Sequence, residues 1–217
     1  KLAHEIKNPL TPIQLSIDRL RDKYAKTLNQ KDKNFEGYLE TINRQIKEIE
    51  KLVNEFSNFA RMPRPILKKI NLFYLINKTV SFIKISSKYK INLVSFSKKI
   101  FVNADEGQLN RVFINLLKNS EEAITEKIGE IPNYKGKIDI EIDEDNDYIV
   151  VKLTDNGIGV PNTKQIMTPY FTTKKEGTGL GLPIVSKIIS EHSGEFIIKK
   201  NNDSGINIKI SLLKINE

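Results

Sequence analysis

Several residues in this sequence have side chains or backbone suited to the chemistry of nucleotide phosphates. His4 offers an imidazole nucleophile, and Asn115 and Asn119 offer amide oxygens of the kind that bind Mg²⁺. Two glycine-rich segments, 155–159 and 177–181, provide turns at which the backbone can approach a ligand closely. Together these groups indicate phosphoryl transfer from ATP to a histidine of the chain, although none of them indicates it alone.

The two glycine segments suit different parts of a nucleotide. Asp155 follows a predicted strand, and its carboxylate can accept a hydrogen bond from an exocyclic amine such as that of adenine, with Gly157 and Gly159 beside it. A plain Asp-Asn-Gly turn explains the same residues. The segment 177–181 precedes a predicted helix, where free amide groups form an anion site suited to phosphates.

The amides and the histidines each have a simpler interpretation as well. Asn115 and Asn119 are four residues apart on one predicted helix and share a face, which a polar surface stripe also explains. His4 lies outside the apolar register of its helix, so it faces solvent beside Glu5, whose carboxylate can take the other ring proton. His192 lies near a predicted helix C-terminus, which favours a cationic side chain, and is interpreted as structural.

The amino-acid composition excludes some kinds of site and of partner. The chain has 217 residues, 39% of them hydrophobic and 29% charged, with no cysteine and a net charge of +8. These proportions are ordinary for a globular protein, and the lack of cysteine excludes disulfides and thiolate metal sites. Lysines are interspersed with acidic residues in every segment, so the sequence predicts a solvated surface and no nucleic-acid binding.

The first 62 residues carry two apolar patterns with the spacing 4-3-4-3-4. Their members are Ile6, Leu10, Ile13, Ile17, Leu20 and Tyr24, then Ile42, Ile46, Ile49, Val53, Phe56 and Ala60. This spacing predicts two helices, each with one narrow apolar seam, and the polar segment 29–34 joins them into an antiparallel hairpin. Because one hairpin cannot shield both seams, we expect a homodimer that forms a four-helix bundle.

The pattern changes after the prolines of segment 61–65. We place a domain boundary there, with a helical hairpin at 1–65 and a second domain at 66–217. Helices together with antiparallel strand hairpins, one of which turns at 145–147, predict an α+β sandwich in which one sheet is covered by helices. The predicted helices are 72–85, 106–127 and 182–193, and the predicted strands are 91–96, 100–102, 138–142, 148–153, 196–199 and 206–212.

Taken together, five segments resemble the sequence boxes of the sensor histidine kinases of two-component systems, in the family's order. The H box resembles 4–10, the N box 115–120, the G1 box 155–159, the F box 169–174 and the G2 box 177–182. Segments 10–16 and 55–63 are similar to those of the NtrY-type nitrogen-regulation sensor kinases. The resemblance implies a dimeric four-helix bundle followed by an ATP-binding domain of the GHKL (Bergerat) type.

The resemblance also implies roles for particular residues. His4 would be phosphorylated, with Glu5 as its general base. Asn119 would hold Mg²⁺, Asn115 would lie near the phosphates, and Asp155 would select adenine. Further ATP contacts would come from Gly157, Gly159, Lys174, Gly177, Thr178, Gly179, Leu180 and Gly181.

The implied activity is an ATP-dependent histidine autokinase that passes phosphate to an aspartate of a response regulator. Asn8 lies on the same helix face as His4, which implies a phosphatase activity toward that regulator. Two alternatives stay open, namely a GHKL-superfamily ATPase and a non-catalytic dimeric scaffold. The ATPases carry a glutamate base where this chain has Asn115, and an amide cannot take a proton from water.

The resemblance further implies a membrane protein of which this chain is the cytoplasmic part. We find no run of about 18 apolar residues, so the sequence predicts no membrane span within the chain. The chain begins without methionine and inside a predicted helix. We therefore expect a membrane-anchoring region to precede it in a longer protein.

Overall fold

The computed structural model describes residue 10 and residues 12–21, 33–131, 133–160, 162–163, 165–172, 177–201 and 204–215. This described part divides into two compact units. The first comprises Lys1–Met62 with Thr173–Leu180, and the second comprises Pro63–Thr172 with Gly181–Glu217. The functional boundary expected after residue 65 stays a prediction.

The first unit contains helix α1 (residues 12–21) and helix α2 (Lys33–Ala60). Between them lies one buried apolar cluster, made by Leu10, Ile17, Leu39 and Ile46. The members are seven residues apart within each helix, which aligns them along one side of it. The Gln14 amide donates a hydrogen bond of 3.0 Å to Asn43 Oδ1, so the helices lie side by side. The predicted hairpin helices are confirmed where they fall on described residues.

A second line of apolar residues in these helices is exposed. It consists of Ile13, Leu20, Ile42 and Ile49, whose relative exposures are 45%, 42%, 44% and 40%. Each follows a member of the buried cluster by three residues, so all four belong to the predicted seams. The hairpin therefore buries one half of each seam and leaves the other half in contact with solvent.

The second unit alternates strands and helices. Its elements are β1 (Lys68–Asn71), α3 (Leu72–Lys84), β2 (Lys90–Ser95), β3 (Phe101–Ala104), α4 (Glu106–Glu130), β4 (Lys137–Asp145), β5 (Tyr148–Asp155), a 3-10 turn (Gln165–Met167), α5 (Gly181–Glu191), β6 (Glu195–Lys200) and β7 (Ile206–Leu213). Within the described residues, one sheet has five strands in the order β2-β4-β5-β7-β6. The helices pack together and against this sheet. The predicted α+β sandwich is confirmed.

Alternation along the strands explains why one face of the sheet takes the helices. In β4, Ile138, Ile140 and Ile142 are buried, whereas the acidic residues between them are not. A strand with this period presents one apolar face and one polar face. The hairpin turn expected at 145–147 is also present, since β4 ends at Asp145 and β5 begins at Tyr148.

Two features of the topology differ from the sequence interpretation. Strand β1 was not among the predicted strands, yet it is present and pairs antiparallel with β3. Strand β2 runs parallel to β4, whereas the sequence suggested antiparallel hairpins. Both pairings join segments that are distant in sequence, and no local pattern of side chains specifies such a partner.

Candidate nucleotide-binding site

Helix α4 carries the two asparagines of the candidate site. It begins after Asp105, whose side chain accepts a hydrogen bond from the Gln108 N–H, and its buried side includes Leu109, Phe113 and Leu116. This apolar side holds the helix against the sheet and fixes its rotation. The residues predicted at the H box (His4, Glu5 and Asn8) and Lys174 lie outside the described residues, and their roles stay predictions.

Asn115 has an amide group suited to an anionic ligand. Its Nδ2 atom is buried and has no hydrogen-bond partner among the described residues. A buried donor without a partner costs about 1–3 kcal/mol. A phosphate oxygen beside this amide would remove that cost, so the residue fits a nucleotide phosphate.

Asn119 lies beside the first residue of α5. A Cβ atom on Gly181 would be 3.6 Å from Asn119 Nδ2 and 3.9 Å from its Oδ1. Glycine at this position therefore keeps a side chain away from the amide, on the side where the N-terminus of α5 offers free N–H groups. The arrangement fits the oxygen ligand that a phosphate-bound Mg²⁺ requires.

Asp155 ends strand β5 and is 1% exposed. Its Oδ1 accepts a hydrogen bond of 2.9 Å from the Gly157 N–H, and its Oδ2 accepts one of 2.9 Å from the Ser120 hydroxyl. Asp155 is thus a buried acid with a donor on each oxygen. Its position at a strand end confirms the expected placement, and its contact with adenine stays a prediction.

Gly157 and Gly159 permit close backbone packing around this carboxyl. A Cβ on Gly157 would lie 2.7 Å from the Ala123 Cβ, so only glycine fits between the loop and α4. The Ile158 N–H donates a hydrogen bond of 3.1 Å to the Ala123 carbonyl. Gly159 has a φ of +76°, which a residue with a side chain rarely adopts. These contacts bring the glycine loop and the asparagine helix together.

Two residues that the sequence analysis did not single out also hold this loop. The Ser204 hydroxyl donates to the Gly157 carbonyl, and the Lys127 ammonium group donates to Ser204. The Lys127 Nζ atom is 4.3 Å from the centroid of the Tyr134 ring. Lys127 falls on the apolar stripe of α4, and that position was the one available signal that it is buried.

The residues of segment 177–180, which were expected to contact ATP, belong to the first unit. Gly179 has a φ of +67°, and Leu180 is fully buried. The Thr178 hydroxyl donates to the Glu55 carboxylate of α2. These contacts describe the segment itself, and the roles of Thr178, Gly179 and Leu180 toward ATP stay predictions.

A second polar cluster ties the start of α4 to the segment that precedes β1. Asp105 Oδ2 accepts a hydrogen bond of 3.0 Å from the Ile66 N–H, and the Gln108 amide donates one of 3.0 Å to the Pro63 carbonyl. Burial disfavours the ionised form of Asp105. The backbone N–H groups of Gln108, Ile66 and Gly107 outweigh burial and hold the pKa of the carboxyl below its usual 3.8.

The structural role expected of His192 is confirmed, but the ring acts through hydrogen bonds and not as an exposed charge at a helix end. The residue is 6% exposed, its Nε2 atom accepts a hydrogen bond of 2.9 Å from the Asp105 N–H, and its Nδ1 lies 2.8 Å from the Ile188 carbonyl. The ring therefore carries its proton on Nδ1 in this arrangement. It joins α5 to the cap of α4, a long-range contact that the local sequence does not signal.

Comparison with known proteins assigns the chain to a family. Residues 104–215, about half of the chain, match the family described as histidine kinase-, DNA gyrase B-, and HSP90-like ATPase, and residues 1–65 match the His Kinase A (phospho-acceptor) domain. The chain belongs to this ATPase family and carries its ATP-binding domain. More particularly, it is homologous to NtrY-like sensor histidine kinases.

Two curated relatives illustrate this homology. The nitrogen regulation protein NtrY of Azorhizobium caulinodans is 36% identical over 196 residues, which cover 89% of this chain and 25% of that protein. An NtrY-like sensor histidine kinase of Rickettsia felis is 38% identical over 224 residues, which cover 99% of this chain and 36% of that protein. The chain therefore spans about a quarter to a third of the length of these relatives.

A solved structure shares the fold over almost the whole chain. The histidine kinase ThkA, solved in complex with the response regulator protein TrrA, superposes with a TM-score of 0.67 at 23% identity and covers 99% of this chain and 60% of that one.

Among the described residues, no helix combines the length and the apolar character needed to cross a bilayer.

Proposed function

We propose that the chain is the catalytic core of an ATP-dependent protein-histidine kinase that phosphorylates its own His4. The observation that carries the proposal is the presence, in one chain, of a phospho-acceptor domain match over residues 1–65 and an ATPase family match over residues 104–215. The first match contains His4 and the second contains Asn115, Asn119 and Asp155.

The proposed transfer forms a bond between a ring nitrogen of His4 and the γ-phosphorus of ATP and breaks the bond from that phosphorus to the β,γ-bridging oxygen. ADP leaves with the bridging oxygen. Glu5 accepts the proton from the other ring nitrogen, which keeps the attacking nitrogen nucleophilic. Such a transfer depends mainly on positioning and on electrostatic stabilisation, so the residues that bind the nucleotide also determine the rate.

Asn115 and Asn119 would hold the phosphate end of the nucleotide. Asn119 would supply an amide oxygen to Mg²⁺, which neutralises phosphate charge when it is bound. Asn115 would donate its buried N–H to a phosphate oxygen. The orphaned Nδ2 of Asn115 supports this assignment, because the site has a donor that an anion would satisfy.

The main alternative is an ATPase that transfers phosphate to water. Asn115 argues against it, since this amide lies one helical turn before Asn119 and has no basic atom to accept a proton from water. Hydrolysis that persists without any labelling of His4 would favour the ATPase.

The proposed acceptor from phospho-His4 is an aspartate in a response regulator. Support comes from ThkA, whose fold this chain shares and which was solved with a response regulator. Asn8 lies four residues after His4 and would position water against the regulator's phosphoaspartate. Substituting Asn8 by alanine should therefore abolish the phosphatase activity and leave autophosphorylation intact.

We further propose that two copies of the chain pair through the hairpin. The exposed line Ile13, Leu20, Ile42 and Ile49 continues the seam that the buried cluster begins. A second hairpin with the same exposed line would cover these residues and complete a four-helix bundle. The expected membrane anchor would lie in the additional length of the relatives and stays a prediction.

Incubation of the chain with γ-labelled ATP and Mg²⁺ tests the proposed kinase activity. The wild-type chain should take up label that is lost in acid and kept in base, as a phosphoramidate is. The His4→Gln variant should stay unlabelled and still bind ATP. Acid-stable label, or equal label in the variant, would contradict the proposal.

A further inference from the structure

Ser120 joins helix α4 to the carboxyl group of Asp155 through a side-chain hydrogen bond. The residue follows Asn119 directly, is fully buried, and donates its hydroxyl proton to Asp155 Oδ2 over 2.9 Å. Buried serines within helices usually bond to the carbonyl one turn earlier. Ser120 instead donates across to the end of strand β5.

The Ser120 and Gly157 donors fix the carboxyl group from two directions. The Gly157 N–H occupies Oδ1 at 2.9 Å, while Ser120 occupies Oδ2. A carboxylate has about four acceptor positions, so two donors are compatible with a further bond to a ligand amine. Because one donor sits on each oxygen, rotation of the carboxyl about its Cβ–Cγ bond would break at least one hydrogen bond.

Gly205, the residue just before β7, restricts the same carboxyl. A Cβ on Gly205 would lie 2.7 Å from Asp155 Oδ1 and 2.0 Å from the Asp155 carbonyl oxygen. The backbone at Gly205 therefore packs directly on Asp155, which leaves the carboxyl little room to move. Ser120 supplies the one side-chain hydroxyl among these restraints.

We propose that Ser120 is a positioning residue that makes the site selective for a 6-aminopurine base. The inference rests on the proposed role of Asp155 as the acceptor for the adenine amino group. With Ser120 donating to Oδ2, Asp155 is held as an acceptor. An amino group at position 6 of a purine then finds an acceptor, whereas a 6-oxo group meets another acceptor and is rejected.

Removal of the hydroxyl should weaken this selection specifically. In Ser120→Ala the carboxyl loses its donor on Oδ2, so the orientation of this oxygen toward a ligand is fixed less firmly. The loss of a hydrogen bond to a charged group corresponds to about a tenfold change in an equilibrium constant. We expect about tenfold weaker ATP binding and a smaller preference for ATP over GTP.

Titration calorimetry of the whole chain with ATP, GTP and purine riboside triphosphate, which lacks the 6-amino group, tests the proposal. Ser120→Ala should weaken ATP binding about tenfold and leave the binding of purine riboside triphosphate unchanged. Ser120→Cys keeps the volume but donates weakly, so it should behave like alanine. Ser81→Ala, at an exposed serine of α3, is the matched control and should bind ATP as the wild-type chain does.

Three results would overturn the inference. The first is unchanged ATP affinity in Ser120→Ala. The second is equal weakening of the binding of ATP and of purine riboside triphosphate in Ser120→Ala, which would indicate a packing role. The third is ATP affinity retained in Ser120→Cys but lost in Ser120→Ala, because shape alone would then explain the effect. Labelling of His4 in the wild-type chain is measured separately, so failure of the kinase proposal is distinguished from failure of this one.

Discussion

The two compact units bury their apolar residues to different extents. In the second unit, Phe113, Leu116, Ile140 and Leu153 are at most 1% exposed. In the first unit, Ile42 and Ile49 remain 44% and 40% exposed, although they belong to the same seams as the buried cluster. The second unit therefore completes its core alone, whereas the hairpin offers an apolar surface to a further helix pair.

This difference in burial fits separate roles for the two units in the proposed kinase. In the second unit, the buried acid of the proposed nucleotide site, Asp155, is held by hydrogen bonds from Ser120 and Gly157 of the same unit. A hairpin that needs a partner couples its stability to assembly. The proposed kinase thus combines a stable donor unit with an acceptor unit whose order depends on dimer formation.

The largest expected effect is in the core of the second unit. Phe113→Ala should lower the free energy of unfolding by about 3–5 kcal/mol, because the ring is 1% exposed and its removal leaves a cavity. Phe82→Ala on α3, where the ring is 67% exposed, is the matched control and should change it by less than about 0.5 kcal/mol. Urea denaturation followed by circular dichroism measures both. Similar losses in the two variants would contradict the buried core.

The next effect concerns the exposed seam of the hairpin. Ile42→Glu should weaken dimer formation by at least about 100-fold, since it places a charge where a second copy is expected to pack. Arg44→Glu is the control, because Arg44 is exposed and lies two residues after Ile42, on the opposite side of the helix. Analytical ultracentrifugation distinguishes the two variants. A monomeric wild-type chain, or equal weakening in both variants, would remove the support for the bundle.

Two glycines, one in each unit, should respond in opposite directions to substitution by alanine. Gly205→Ala should destabilise the chain by about 2 kcal/mol, because φ is +84° and the new Cβ would meet the Asp155 carbonyl at 2.0 Å. Gly37→Ala on α2 should instead stabilise it by about 0.5–1 kcal/mol, since a Cβ there meets nothing within 4 Å. Thermal unfolding gives the sign of each change. A stabilised Gly205→Ala variant would show that the contact with Asp155 is absent.

The smallest effect is a pH dependence at Asp105. Its pKa is lowered in the folded chain, so the charged carboxylate stabilises the fold at pH values above its usual 3.8. That stabilisation is lost as the pH falls through the lower, folded-state pKa. Asp105→Asn should therefore be less stable than the wild type near neutral pH and approach it in strong acid. A stability gap that stays constant across the pH range would contradict this account.

The sequence predicted the elements that have a strong local pattern. The helix from Leu72, the helix from Glu106 and the strand pair around 145–147 were all expected, because their apolar periods or turn residues lie within a few positions of each other. Strand β1 was missed because only its pairing with β3 makes it a strand. Pairing between distant segments depends on the whole fold, and short polar strands carry little signal of their own.

The candidate site shows the same limit. Asn115, Asn119 and Asp155 were found because their chemistry and spacing are unusual enough to suggest a ligand. Ser120 was not singled out, although it is the last residue of the segment 115–120 and lies on the buried stripe of α4, where a hydroxyl needs a partner. The partner, Asp155, comes from a strand 35 positions further along the chain, so its identity required the fold.

The most direct test of these separate roles, ATP binding by the second unit and phosphate acceptance by the first, compares one variant from each unit. ATP binding by calorimetry and acid-labile labelling from γ-labelled ATP are measured for His4→Gln and Asp155→Asn. The account predicts that His4→Gln binds ATP like the wild-type chain but takes up no label, and that Asp155→Asn loses both binding and labelling. Labelling of His4→Gln, or wild-type ATP binding by Asp155→Asn, would contradict it.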